Sequence, residues 1–175
     1  MLKTIKHMKP LVSIIMGSTS DWPIMKKDAN LFEEMEIPFE VNALSAHRTP
    51  EKVEQFAKNA SHNGIRIIIA GAGMAAHLPG VIAAMTPIPV IGVPIKASLD
   101  GLDSLLAIVQ MPPGIPVATV AINGALNAGI LAAQMLAVNN EMMLAKTIAY
   151  KENLKTKIVK ANEELQKETF KYKTN

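Results

Sequence analysis

What most limits the fold of this chain is a repeated alternation. Short, β-branched apolar runs recur along it, and each gives way first to a polar loop and then to a stretch with helical spacing. Residues 11–16, 39–44, 66–70, 90–93 and 117–122 read as five strands. The third, Arg66-Ile67-Ile68-Ile69-Ala70, is apolar almost throughout, as required of a strand covered on both faces of a parallel sheet. Between the strands, Asp21-Trp22-Pro23 opens a helix to residue 35, with proline in the first turn where its missing N–H costs nothing. Thr49-Pro50-Glu51 opens another to residue 62, stopped by Gly64. Shorter helices are expected over 78–85 and 102–109, and an alanine-rich one follows Asn123-Gly124 to residue 138. Strands alternating with helices predict an α/β three-layer sandwich with right-handed crossovers and a flavodoxin-like parallel sheet, order 2-1-3-4-5. That order sets the first and third strands side by side, so that the loops after them face one crevice.

Those loops hold most of the polar chemistry. The first, Gly17-Ser18-Thr19-Ser20-Asp21, sits where a strand turns into a helix, so backbone amides, the positive dipole end and the hydroxyls of Ser18, Thr19 and Ser20 suit a phosphate. Asp21 would repel a phosphate but could accept two hydrogen bonds from a vicinal ribose diol. The same residue types are preferred helix caps, and one residue can do both. No lysine follows in Walker spacing. The second loop, Ser45-Ala46-His47-Arg48, holds one of only two arginines among 18 basic residues, a fork that matches phosphate geometry as lysine does not. Beside it His47 offers an imidazole, a group suited to giving and taking a proton near neutrality. A plain surface turn before Pro50 is the alternative. In the third loop Gly71, Gly73 and Ala76 match Gly-x-Gly-x-x-Ala, but after the third strand rather than the first, and with no acidic residue some 20 positions on to grip a ribose. The glycines fit better as places where a ligand approaches the backbone. His77 is either a second polar contact or simply the start of the next helix. Arg66 reads as structural, and His7 and His62 as surface residues.

Composition excludes several other classes. The chain has 175 residues, 49% of them apolar, enough for the core of one domain, and no cysteine for a disulfide or thiolate chemistry. Its four histidines are scattered away from the acidic residues, so no metal is expected. No run approaches the roughly 18 apolar residues that span a bilayer, and the start shows no signal-peptide cleavage pattern, which together give a cytoplasmic reading. A mean hydropathy of +0.21 is high for a monomer and points to surface buried between subunits.

Charge is uneven. Residues 1–140 carry ten Lys/Arg and ten Asp/Glu, whereas 141–175 carry eight Lys and five Glu. The lysines are interleaved with glutamates, the pattern of a solvated helix face rather than a nucleic-acid surface. Leu144, Ile148, Lys151, Leu154, Ile158, Ala161 and Leu165 recur at steps of three and four, an apolar stripe with one lysine interruption. We therefore expect a catalytic domain over 1–140 and a helical extension over 141–175 that packs on a neighbouring subunit; folding back on its own body is the alternative.

In order along the chain, Gly17-Ser18-Thr19-Ser20-Asp21-Trp22, Ser45-Ala46-His47-Arg48-Thr49-Pro50, Ala75-Ala76-His77-Leu78-Pro79-Gly80, Gly101-Leu102-Asp103-Ser104-Leu105-Leu106 and Ile108-Val109-Gln110-Met111-Pro112 resemble the motifs of the PurE family of purine biosynthesis, over roughly residues 10–138. The resemblance implies a mutase that turns N5-carboxyaminoimidazole ribonucleotide into 4-carboxy-5-aminoimidazole ribonucleotide without metal or organic cofactor, in an octamer. It implies that Ser18 and Arg48 bind the 5′-phosphate, that Asp21 holds the ribose hydroxyls and that His47 is the acid/base. Amides around Ala46, Gly71 and Gly73 would hold carbon dioxide, with Ser20, Ser45, Ala76 and His77 completing the substrate contacts. His-Arg-Thr-Pro follows the mutase branch; the branch that carboxylates aminoimidazole ribonucleotide directly tends to have lysine after the histidine. The chain departs from the pattern at Met74, where the family has glycine. A flavodoxin-type electron carrier is the reading from another class, disfavoured by one Trp and two Tyr available to stack on a flavin.

Overall fold

Three strands that read as continuous apolar runs lie at the centre of a parallel sheet. The computed structural model describes residues 8–175, so His7 lies outside the described residues. Strand β1 (Val12–Met16) and strand β4 (Val90–Ile95) are buried at every position, and β3 (Ile67–Gly73) at all but its last. Strand β2 (Phe39–Ala43) is an edge and carries polar residues: Glu40 accepts from Ser13 Oγ at 2.9 Å and from Asn42 Nδ2 at 3.0 Å. With β5 (Ala118–Thr119) the order is β2-β1-β3-β4-β5, all parallel, so β1 and β3 are neighbours, as expected from the sequence.

Helices fill both faces. Helix α1 (Trp22–Glu34) buries Met25, Ala29, Leu31 and Phe32 at steps of about one turn and packs on β1. On the other face, α2 (Pro50–Asn59), α3 (Leu78–Met85) and α4 (Leu102–Val109) bury Val53, Ala57, Ile82 and Ile108 against Ile15, Ile68 and Ala70. Full burial of one such Ile or Phe is worth roughly 1.5–3 kcal/mol. After α2 the chain turns back through Gly64, whose φ of +97° is a conformation glycine adopts without strain.

Two strand ends differ from expectation. Strand β3 runs on to Gly73, taking in both glycines assigned to the loop, because β4 continues to pair with it as far as Gly73 opposite Ile95. Strand β5 is only two residues rather than the expected six. Val120 N–H still donates to Gly92 O at 3.1 Å and Asn123 N–H to Pro94 O at 2.8 Å. Pro94 has no N–H with which to return a bond, so the ladder stops there.

Helix α5 (Ala125–Ala137) follows, and the chain divides into two compact units, one running to Met135 and the other Leu136–Asn175. The second is mostly α6 (Glu141–Lys167), 27 residues. Asn140 caps it by accepting the Met143 N–H at 3.1 Å, and Lys173 Nζ meets the carbonyls of Leu165, at 2.6 Å, and Glu168, at 2.7 Å, at its far end. Ile148, Ile158 and Leu165 of its stripe are 55%, 73% and 65% exposed in the single chain. Among the described residues no helix is long and apolar enough to cross a membrane.

Candidate active site

The loops after β1, β2 and β3 close around a cavity of about 480 Å3. In the first, Ser18 is extended and its Oγ accepts the Ser20 N–H at 3.3 Å and the Ser20 hydroxyl at 2.8 Å, capping a 3-10 turn over Thr19–Asp21. Asp21 stands at the start of α1 but makes no side-chain cap bond, so its carboxylate remains available at the cavity wall. Burial raises the Asp21 pKa above the ordinary carboxylate value, with the Ser20 hydroxyl pulling the other way.

The second loop is a closed turn. Thr49 Oγ1 accepts the Ser45 N–H at 3.0 Å and donates to Ser45 O at 3.1 Å, while Thr49 N–H donates to the same carbonyl at 2.9 Å. Ser45 Oγ in turn accepts from Arg48 N at 3.2 Å and from Arg48 Nε at 3.3 Å. Arg48 Nη2 reaches across to donate to Gly17 O at 2.7 Å, tying this loop to the first. A guanidinium carries five N–H donors, so most of its fork is left for an anion.

His47 Nε2 lies 2.9 Å from His77 Nδ1, with the rings at 89° and their centroids 5.1 Å apart. One nitrogen must supply the proton and the other the lone pair, so the two rings cannot both be imidazolium while the bond lasts. His77 begins α3 without a side-chain cap bond, so its imidazole serves His47 rather than the helix end. Before it, Met74 lines the cavity at a φ of +54°, a left-handed conformation that costs a non-glycine residue on the order of 1 kcal/mol.

Of the expected site residues, Ser18, Ser20, Asp21, Ser45, Ala46, His47, Arg48, Gly73 and His77 line this one cavity, and Gly71 and Ala76 do not. A Cβ at Gly71 would stand 2.5 Å from Met25 Sδ, so this glycine makes room for the core rather than for a ligand. Ala76 is buried in the cluster that holds Leu78 and Ile82. Six lining residues were not expected as contacts: Gly17, Ala72, Met74, Ala75, Leu78 and Ala97. Gly17 acts through its backbone carbonyl, which leaves no trace in a side-chain pattern. Ala97 lines the cavity from the loop after β4, a loop read only as one more post-strand connection. Among the described residues, no three His, Asp or Glu side chains gather closely enough to hold a metal ion.

A family profile described as AIR carboxylase matches residues 11–157. The N5-carboxyaminoimidazole ribonucleotide mutase of Pyrococcus horikoshii is 55% identical over 159 residues, covering 90% of each chain. A phosphoribosylaminoimidazole carboxylase of Candida glabrata is 62% identical over 133 residues, 75% of this chain and 23% of that protein. Among solved structures, Treponema denticola PurE superposes with a TM-score of 0.81 at 28% identity, covering 90% of this chain and 99% of that one. The cavity is thus built on a fold and sequence with the same relatives, and the chain belongs to the AIR carboxylase family, the PurE family of the sequence resemblance.

Proposed function

We propose that the protein is an enzyme of purine biosynthesis, a mutase that converts N5-carboxyaminoimidazole ribonucleotide into 4-carboxy-5-aminoimidazole ribonucleotide. The observation that carries this reading is the convergence of Arg48, Ser18, Asp21 and His47 on one cavity in a chain whose full-length relatives bear the mutase name. Arg48 and the Ser18 loop take the 5′-phosphate, where a bidentate fork and amide donors match its oxygens. Asp21, free of a capping duty, accepts from the ribose hydroxyls.

Protonated His47 donates to N5 as the bond from N5 to the carboxyl carbon breaks, releasing carbon dioxide and leaving His47 neutral. C4 of the aminoimidazole ring then attacks carbon dioxide, forming the new carbon–carbon bond. Neutral His47 removes the C4 proton, which restores the ring and the protonated histidine. One imidazole serves both transfers, and nothing else is consumed. The neutral His77 ring accepts from His47 and leaves the other His47 nitrogen to face the substrate.

The identity to a relative named as a carboxylase favours a second reading, direct carboxylation of aminoimidazole ribonucleotide. One assay separates them. N5-carboxyaminoimidazole ribonucleotide supplied in bicarbonate-free buffer should give product, whereas aminoimidazole ribonucleotide with bicarbonate at physiological concentration should give little. The reverse pattern would establish the carboxylase. We further propose a cytoplasmic homo-oligomer, an octamer, with residues 1–140 as the catalytic part and 141–175 as the extension between subunits; the exposed stripe on α6 supports the assembly.

A further inference from the structure

We propose that Met74 is the apolar cap of the cavity, a residue that sets how tightly the substrate's flat heterocycle is held and how well carbon dioxide is kept from solvent; this rests on the mutase reading above. Two observations converge on it. The first is its left-handed conformation at the cavity wall. Met74 holds a φ of +54°, a region it shares among the described residues with Glu36, Leu99, Asp100 and Asn123; of these, Asn123 accepts the Lys96 N–H at 3.0 Å and Asp100 pairs with Lys96 at 2.7 Å. Asparagine and aspartate also tolerate this conformation better than other side chains. Of the five, Met74 alone lines the cavity. It is 62% exposed, so it adds little to the core. The turn it sits in is closed by backbone bonds alone, Ala76 N–H to Met74 O and His77 N–H to Ala75 O, both 2.8 Å, which glycine would make equally well.

The second observation is what the wall lacks. Ser18, Ser20, Asp21, Ser45, His47 and Arg48 make the cavity polar on the β1 and β2 side. On the β3 side Gly73 carries no side chain, and a Cβ there would crowd Ile95 O at 3.1 Å and the Ala97 methyl at 3.2 Å. Leu78 also lines the cavity but is buried. Met74 is therefore the one large, exposed apolar side chain in the lining. A thioether chain is unbranched, adaptable and polarizable, and it makes favourable contacts with aromatic rings. In this chain that surface would cover the face of the aminoimidazole ring that the phosphate and ribose contacts leave open. The same side chain would add to the exclusion of water around carbon dioxide between the two half-reactions.

The test compares wild-type protein with Met74→Gly and Met74→Leu in the presence of 13C-bicarbonate and carbonic anhydrase. For Met74→Gly we expect KM for N5-carboxyaminoimidazole ribonucleotide to rise about tenfold, kcat to fall far less, and solvent-derived label in the product to increase several-fold. Its melting temperature should not drop, because the substitution relieves backbone strain. Met74→Leu keeps the apolar bulk and should stay close to wild type in KM and labelling. Equal KM and labelling in wild type and Met74→Gly would overturn the cap. So would a rise in KM that coincides with a smaller assembly in light scattering, since Met74 would then be a subunit contact. If wild-type protein fails to turn over N5-carboxyaminoimidazole ribonucleotide at all, the mutase reading falls and takes the cap with it. An active wild type with an unaltered Met74→Gly variant removes the cap alone.

Discussion

In the proposed mechanism His47 alone moves the proton, and His77 orients it. A histidine that gives a proton and takes it back must keep one nitrogen aimed at the substrate through both steps. Which nitrogen that is depends on what the other one bonds. His77 Nδ1 lies 2.9 Å from His47 Nε2, and in the proposed mechanism this contact engages Nε2 and leaves Nδ1 of His47 for the substrate. The two residues should therefore fail differently. His47→Asn removes the proton carrier and should lower kcat by about a hundredfold to ten-thousandfold, with ligand binding still measurable by calorimetry because Arg48 and Ser18 are untouched. His77→Ala removes only the orienting partner, so kcat should fall less while KM barely moves. Turnover retained in His47→Asn would take it out of the acid/base role. An equal and complete loss in both variants would argue for direct chemistry at His77.

At the scale of elements, helix α1 carries a group that the chemistry does not use. Asp28 is wholly buried, and neither carboxyl oxygen makes a hydrogen bond of ordinary geometry. Burial pushes its pKa from 3.8 up to about 8, the Gly129 backbone amide on α5 offsetting part of this. The folded state thus holds the proton more tightly than the unfolded chain does. The stability this gives is complete below the ordinary carboxylate range and is lost as pH rises toward and through 8. Calorimetric melting from pH 5 to 8.5 should show wild type losing stability with rising pH and Asp28→Asn losing less, with the variant ahead at the alkaline end. Parallel curves would mean that Asp28 is ionised or relieved in the folded protein. The spacing puts Asp28 on the buried stripe of α1, three residues after Met25 and four before Phe32, but Gly129, which closes over it, lies some hundred residues away. A Cβ at Gly129 would stand 3.0 Å from Asp28 Oδ1. Gly71 makes the same point: it read as a ligand contact, yet its bare Cα makes room for Met25. The strand order was legible, because apolar runs, intervening helices and right-handed crossovers leave few arrangements open. So was the gathering of Ser18, Asp21, His47 and Arg48, which follows from β1, β2 and β3 being neighbours. Relations set by side-chain packing between distant elements were not.

Over the whole molecule, the question is what covers the apolar residues of α6. A helix of 27 residues with Ile148, Ile158 and Leu165 more than half exposed is unusual for a chain that works alone. Its charges do not suggest a nucleic-acid partner, since residues 141–175 mix eight lysines with five glutamates and Lys155 pairs with Glu152 at 2.6 Å. The proposed homo-oligomer would meet the requirement, since a second copy offers the same stripe and symmetric pairing would make every copy cover another. Deleting residues 141–175 should then reduce the assembly mass measured by multi-angle light scattering. The remaining chain should keep its cavity, because Gly17, Arg48, His77 and Ala97 all lie in the unit that runs to Met135. Near-normal turnover per folded chain in a smaller particle would mark α6 as an assembly element alone. Lost turnover in a folded, smaller particle would mean that a neighbouring subunit completes the site. An assembly of undiminished subunit number would show that the stripe on α6 does not hold the copies together, and that other exposed residues, such as Leu102 and Val109 on α4, do so instead.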